Sequence, residues 1–188
     1  MYEAGKSVQV AREANRYNLS LLGMSEIRWT GSGVSRTSDG RTLYYSGKDS
    51  DAHESGVGIM LDAISNKCVL DWKPVNDRIM TLRLNSKHIK TTIVQVYAPH
   101  EGKPEGEKEE FYDKLQDVMD ALPRHDLIIV MGDVNAKIGI QKHGEGRIMG
   151  KHVLKDIRND NGEKFVECCR RNDMAITSTM YPHPEIYT

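Results

Sequence analysis

Residues 127–136 read Leu-Ile-Ile-Val-Met-Gly-Asp-Val-Asn-Ala, and this stretch constrains the fold more than any other. The apolar run is short, rich in β-branched residues and bounded by Pro123 and Gly132. Such a run predicts a strand buried on both faces. Asp133 and Asn135 follow at its end, two residues apart, a spacing that points both side chains to one side of an extended segment. Gly132 permits a tight turn or a close approach of the backbone to a ligand. A carboxylate and a carboxamide at the mouth of a buried strand suit phosphate and metal chemistry. The plain alternative is a polar turn leaving a strand.

The length of 188 residues suits one domain over 1–188 with a full core. With 38% hydrophobic and 28% charged residues, the chain has the profile of a soluble globular protein. No apolar run approaches a membrane span, and the first residues lack a secretory pattern, so no membrane partner is expected. Cys68, Cys168 and Cys169 form neither a paired framework nor a metal-type spacing. They read as reduced thiols of an intracellular protein, nuclear or cytoplasmic. A net charge of −1 argues against non-specific coating of nucleic acid but leaves room for one local basic surface. Oligomeric state is not legible.

Taken in order, Ser7–Asn18 predicts a surface helix and Leu19–Ser25 a buried strand ending at Glu26. Thr30–Gly40, rich in Gly, Ser and Thr, reads as a loop. Thr42–Ser46 and Gly56–Leu61 read as strands. Ile79–Leu84 and His88–Tyr97 form a hairpin around Asn85-Ser86-Lys87, with Tyr97 at the end of its second arm. Glu107–Leu122 has apolar residues at helical spacing and acidic residues in its first turn. Lys137–Arg158 is long, glycine-rich and basic. Asp160 or Asn161 caps a helix running to Asn172, and Met174–Thr177 is a last short strand. The pattern fits two packed sheets with helices outside them, an α/β architecture.

Three polar groups end strands: Glu26, Tyr97 and the pair Asp133/Asn135. One carboxylate such as Glu26 can hold Mg²⁺ together with several waters. Asp133 could orient or deprotonate an attacking water, with Asn135 fixing the geometry. Tyr97 could donate to a phosphate oxygen. Basic residues of 137–158, Lys137 first among them, could contact a nucleic-acid backbone, and the alternative is a solvated flexible segment. The seven histidines offer no metal spacing.

Ser25-Glu26-Ile27-Arg28-Trp29, Gly56-Val57-Gly58-Ile59, Val96-Tyr97-Ala98-Pro99 and Gly132-Asp133-Val134-Asn135-Ala136 stand in the order seen in the endonuclease/exonuclease/phosphatase superfamily. Within that superfamily the chain resembles the apurinic-endonuclease-like domains encoded by non-LTR retrotransposons, and more narrowly retrotransposon-derived sequences, with Asn159-Asp160-Asn161-Gly162-Glu163 adding to the likeness. The resemblance implies a four-layer α/β sandwich and hydrolysis of a DNA phosphodiester with Mg²⁺, or Mn²⁺ in its place. It implies Glu26 as metal ligand, Tyr97 as active-site tyrosine, and Asp133 and Asn135 as the pair that positions water and phosphate. Asn161, Lys137 and Arg28 become candidate substrate contacts. Two family features lack a counterpart, an early strand carrying an asparagine beside the metal and a late Ser-Asp-His motif; His183 comes too early for the latter. The expectation is a domain incomplete at both ends, with impaired activity. The alternative is a non-catalytic remnant that acts as a binding module. A third reading keeps the fold but exchanges DNA for the lipid substrates of related phosphatases.

Overall fold

The computed structural model describes residues 5–50, 53–153 and 156–182. In chain order the elements are α1 (Lys6–Arg16), β1 (Leu21–Ser25), β2 (Ser32–Arg36), β3 (Thr42–Ser46), β4 (Val57–Leu61), α2 (Ala63–Asn66), β5 (Val69–Pro74), β6 (Ile79–Leu84), β7 (Thr91–Tyr97), α3 (Glu105–Ala121), β8 (Leu127–Asp133) and α4 (Asp160–Arg171). They form two compact units, Met1–Tyr97 with Leu122–Asp133, and Ala98–Ala121 with Val134–Thr188.

The first unit holds both sheets, in the orders β1-β4-β3-β2 and β5-β6-β7-β8. Their packing follows from strand alternation. Val57, Ile59 and Leu61 of β4 meet Met80, Leu82 and Ile93 from β6 and β7 between the sheets. Met60, on the other face of β4, joins Leu43 and packs against Ala11 of α1. All pairings are antiparallel except β7 with β8, where Tyr97 stands opposite Asp133.

That register is pinned at the far end of β8 by Asp126. Its carboxylate accepts two bonds from Arg83, Nε at 2.7 Å and Nη2 at 3.0 Å, and one from Thr92 Oγ1 at 2.7 Å. The Arg83 guanidinium holds the Asp126 carboxyl below its ordinary range. Asp126→Ala strands that guanidinium and frees the start of β8. The expected result is a melting temperature several degrees lower, read by circular dichroism, with parallel loss of site geometry; an unchanged melting curve would refute this anchoring role.

The second unit is built on α3 and α4, with a core of Ile148, Met149, Val166, Cys169 and Ile176. α4 begins where Asn159, not Asp160 or Asn161, caps it, its side chain accepting from Gly162 N at 2.8 Å.

Other expectations are corrected as well. β8 is an edge strand rather than a strand buried on both faces. Leu127 and Ile129 are 48% and 41% exposed, because no strand lies beyond β8 among the described residues. Gly-Ser-Thr-rich 30–40 contains β2, which the hairpin to β3 stabilises despite its poor strand propensity. Residues 174–177 make only an isolated bridge, Met149 with Ile176, before a 3-10 turn at Thr177–Thr179. α2 and β5 carried no clear periodic signal and were not anticipated. His183 lies outside the described residues. Among the described residues no helix is long and apolar enough to cross a membrane.

Candidate active site

The motif Ser25–Trp29 works through its middle residue. Ile27 is fully buried, with its amide bonded to Gly56 O at 3.1 Å, while Arg28 N bonds Ser55 O at 2.9 Å. Glu26 and Arg28 on either side of Ile27 adopt left-handed backbone, φ 55° and 57°. Non-glycine residues rarely sit there, and clusters of them mark functional sites. Both side chains are thereby turned outward. Glu26 stays 47% exposed, with Arg28 Nη2 3.2 Å from its Oε2.

Tyr97 ends β7 and donates its hydroxyl to Glu26 Oε1 at 2.6 Å. This bond chiefly holds the Glu26 carboxyl below its ordinary range, with help from Arg28. Burial, then the Glu26 bond and charge, push the Tyr97 hydroxyl up to about 12; Asp133 adds to the shift and Arg78 opposes it. At neutral pH Tyr97 is therefore a proton donor in hydrogen bonds, not a nucleophile. Arg78 braces it from two directions. Its guanidinium carbon lies 5.2 Å from the ring centroid, and Nη1 donates to Tyr97 O at 3.2 Å.

Asp133, exposed, faces Tyr97 across the parallel pair. Gly132 just before it has φ +132°, and a Cβ there would lie 2.0 Å from Val96 O. Only glycine lets β8 lie this close to β7 at the point where Asp133 emerges. The strand stops at Asp133 and Asn135 has φ 48°, so the segment is not extended through Asn135. The premise that alternation alone would align Asp133 with Asn135 does not hold.

Asn135, Lys137 and Asn161 lie on the second unit. Asn135 Nδ2 donates to Ala98 O at 2.9 Å. Its own carbonyl accepts from Asn159 Nδ2 and Asn161 Nδ2, both at 3.3 Å. Asn161 is fully buried, also bonding Pro99 O at 2.8 Å, while its carbonyl accepts from the Tyr112 hydroxyl at 3.0 Å. It braces the backbone of Asn135 and presents no surface to a substrate. Lys137 is exposed, its amide bonded to Asn159 Oδ1 at 2.9 Å.

The basic stretch 137–158 is partly neutralised from within. Arg158, 5% exposed, makes two 2.7 Å bonds to the Glu145 carboxylate and donates to Ile138 O and Ile140 O. Lys142 pairs with Glu163. Lys137, Arg147 and Lys151 remain as exposed cations, and Lys155 lies outside the described residues.

No family model matches the chain. It is 34% identical to craniofacial development protein 2 of Bos taurus over 186 residues, 98% of this chain and 31% of that protein. It is 33% identical to craniofacial development protein 2 of Tragulus javanicus, over 98% of this chain and 32% of that protein.

This chain is similar to part of craniofacial development protein 2.

It spans about a third of the length of these curated relatives. The fold is also that of the endonuclease domain of TRAS1, a telomere-specific non-LTR retrotransposon (TM-score 0.54, 14% identity, 90% of this chain, 66% of that one). The AP endonuclease LMAP from Leishmania major is a second neighbour (TM-score 0.57, 10% identity, 89% and 61%). The two packed four-stranded sheets are thus an α/β sandwich, the fold of these two neighbours.

Among the described residues no three His, Cys, Asp or Glu side chains are grouped as a metal cage. The donor set is instead one accessible carboxylate, Glu26, with Asp133 within electrostatic reach of its partner Tyr97. That set fits Mg²⁺, which keeps most of its waters, and does not fit Zn²⁺. Beside these groups stands one further residue that the sequence did not disclose, Arg78. Arg78 lies in a turn where Asn76 Oδ1 accepts from the amides of both Arg78 and Ile79 at 2.8 Å; Asn-Asp-Arg before a strand was the available signal.

Tyr97→Phe removes the hydroxyl that stabilises ionised Glu26. The Glu26 carboxyl should then titrate at higher pH, nearer its ordinary value, in carboxyl-resolved NMR. An unmoved midpoint would show that the bond is absent in solution.

Proposed function

We propose that this chain is a metal-dependent phosphodiesterase module acting on DNA. The observation that supports it most directly is the juxtaposition of three groups on one unit: Tyr97 bonded to Glu26 at 2.6 Å and standing in register with Asp133. Glu26, with waters, would hold Mg²⁺ or Mn²⁺. Bound there, the ion supplies Lewis acidity toward a phosphoryl oxygen and the departing oxygen. Asp133 orients the attacking water and accepts its proton. Tyr97 keeps Glu26 ionised and aimed, and its high pKa preserves it as a hydrogen-bond donor near developing negative charge. On the second unit, Asn135 offers a neutral carboxamide, a group that can bond a phosphate oxygen without repelling it. Lys137, Arg147 and Lys151 supply cations for a phosphate backbone, and Arg28 for a phosphate near Glu26.

The names of the structural neighbours, an endonuclease domain and an AP endonuclease, agree with this reading. A second reading is a binding module without turnover, for which the exposed cations Lys137, Arg147 and Lys151 would serve as phosphate contacts. Plasmid nicking decides between them. Supercoiled and abasic plasmid are incubated with the folded protein and Mg²⁺, with EDTA, with Asp133→Ala, and beside a phosphomonoester substrate. Nicking that requires metal and Asp133 is the expected result. Retained DNA binding with no nicking establishes the second reading, and preferential monoester cleavage moves the substrate class.

A further inference from the structure

Gln95 is a fully buried carboxamide of β7, on the same strand face as Ile93 and Tyr97. It leaves β7 and crosses to the other sheet. Nε2 donates to Met24 O at 3.2 Å and to Ser25 Oγ at 3.4 Å. The Ser25 hydroxyl in turn donates to Val96 O at 3.3 Å. One step further along both strands comes the Tyr97–Glu26 bond. Three successive polar ties therefore join the end of β1 to the end of β7, and Gln95 is the innermost.

Room for this amide is made by two glycines. A Cβ at Gly23 of β1 would lie 2.1 Å from Gln95 Oε1, and one at Gly132 of β8 would lie 2.9 Å from Nε2. Gln95 thus sits wedged between the strand that leads to Glu26 and the strand that leads to Asp133. Its Oε1 is buried without a hydrogen-bond partner. Such an oxygen costs stability, and an apolar side chain of similar size would fill the space better. A residue serving only as core would not be an amide.

We propose that Gln95 is a positioning residue: by tying β1 to β7 and abutting β8, it sets the placement of Glu26 and Asp133 relative to Tyr97. It touches neither substrate nor metal. The placement follows from the geometry; its effect on metal binding and turnover rests on the phosphodiesterase reading.

The test uses the full chain and two variants that disturb the amide differently. Gln95→Met removes its hydrogen bonds at nearly constant volume. Gly23→Ala leaves the amide in place but forces it aside. Leu82→Val, a core change between the sheets, controls for general loss of stability. One readout is the ¹⁹F resonance of fluorotyrosine-labelled Tyr97, assigned with Tyr97→Phe. The other readouts are the Mn²⁺ dissociation constant by electron paramagnetic resonance, and kcat and KM for plasmid nicking.

The expected result is a shifted Tyr97 resonance, Mn²⁺ bound about tenfold more weakly and kcat lowered at least tenfold, with KM for DNA unchanged, in whichever of the two amide variants folds. Leu82→Val should change only the melting temperature. An unmoved Tyr97 resonance in a folded amide variant overturns the proposal, as does a Leu82→Val control that reproduces the effects. A shifted resonance in a protein whose wild type neither binds Mn²⁺ nor nicks leaves Gln95 as the positioner of Glu26 and Tyr97, and overturns the phosphodiesterase reading instead.

Discussion

Asp133→Ala should lower metal-dependent nicking by about a thousandfold or more, the loss of about 4 kcal/mol of transition-state stabilisation typical of removing a positioned group from such a site. The fold should survive, because Asp133 is exposed at the very end of β8 and such positions tolerate substitution. Asp133→Asn is the sharper variant, since it keeps the shape and loses the base. With this change kcat should fall as far while KM for DNA holds or improves, for a carboxylate that repels phosphate has become neutral. Nicking assays paired with gel-shift measurements on both variants supply the numbers. Undiminished nicking in a pure Asp133→Ala preparation would sink the assignment of Asp133 as the base.

Glu145→Gln should destabilise the second unit by about 3 kcal/mol at neutral pH, within the range found when one partner of a buried ion pair is removed. The Glu145 carboxylate is 3% exposed and receives Arg158 by two bonds, Arg170 at 3.4 Å and the amide of Lys142 at 2.8 Å. Arg158 foremost pulls its pKa to about 2 from an ordinary 4.5. A folded pKa below the unfolded one means that the contribution is complete above about 4.5 and is lost as pH falls toward 2. The gap between wild type and Glu145→Gln in urea unfolding should therefore be full at pH 7 and close progressively below about 4.5. A gap that does not depend on pH would show that Glu145 acts through shape alone.

The elements that carry Glu26, Tyr97 and Asp133 were legible because each is a short apolar strand stopped by a polar residue. What the chain could not disclose depends on neighbours distant in sequence. The exposure of Leu127 and Ile129 reflects the position of β8 in the sheet order, and an apolar run reads alike at a centre and at an edge. β2 was hidden because Ser and Gly have poor strand propensity, and only pairing with Tyr45 and Tyr44 makes the segment extended. Asn161 looked like a substrate contact by likeness; its complete burial is a property of Pro99 and Asn135 folding over it. Arg158 and Lys142 counted as cations for DNA until Glu145 and Glu163 were seen to occupy them.

The parallel pairing of strands β7 and β8 bears on the order of events in folding. β5, β6 and β7 are antiparallel neighbours that can zip from local turns. β8 can join only after the chain has passed through α3 and returned, and such non-local closure is slow. Tyr97 is thus in place before Asp133 arrives opposite it. In refolding experiments, the β7 amides should acquire protection with those of β5 and β6 in an early phase, whereas nicking competence should appear only with the slowest one. Substitutions along β8 should then act on the unfolding rate far more than on the folding rate.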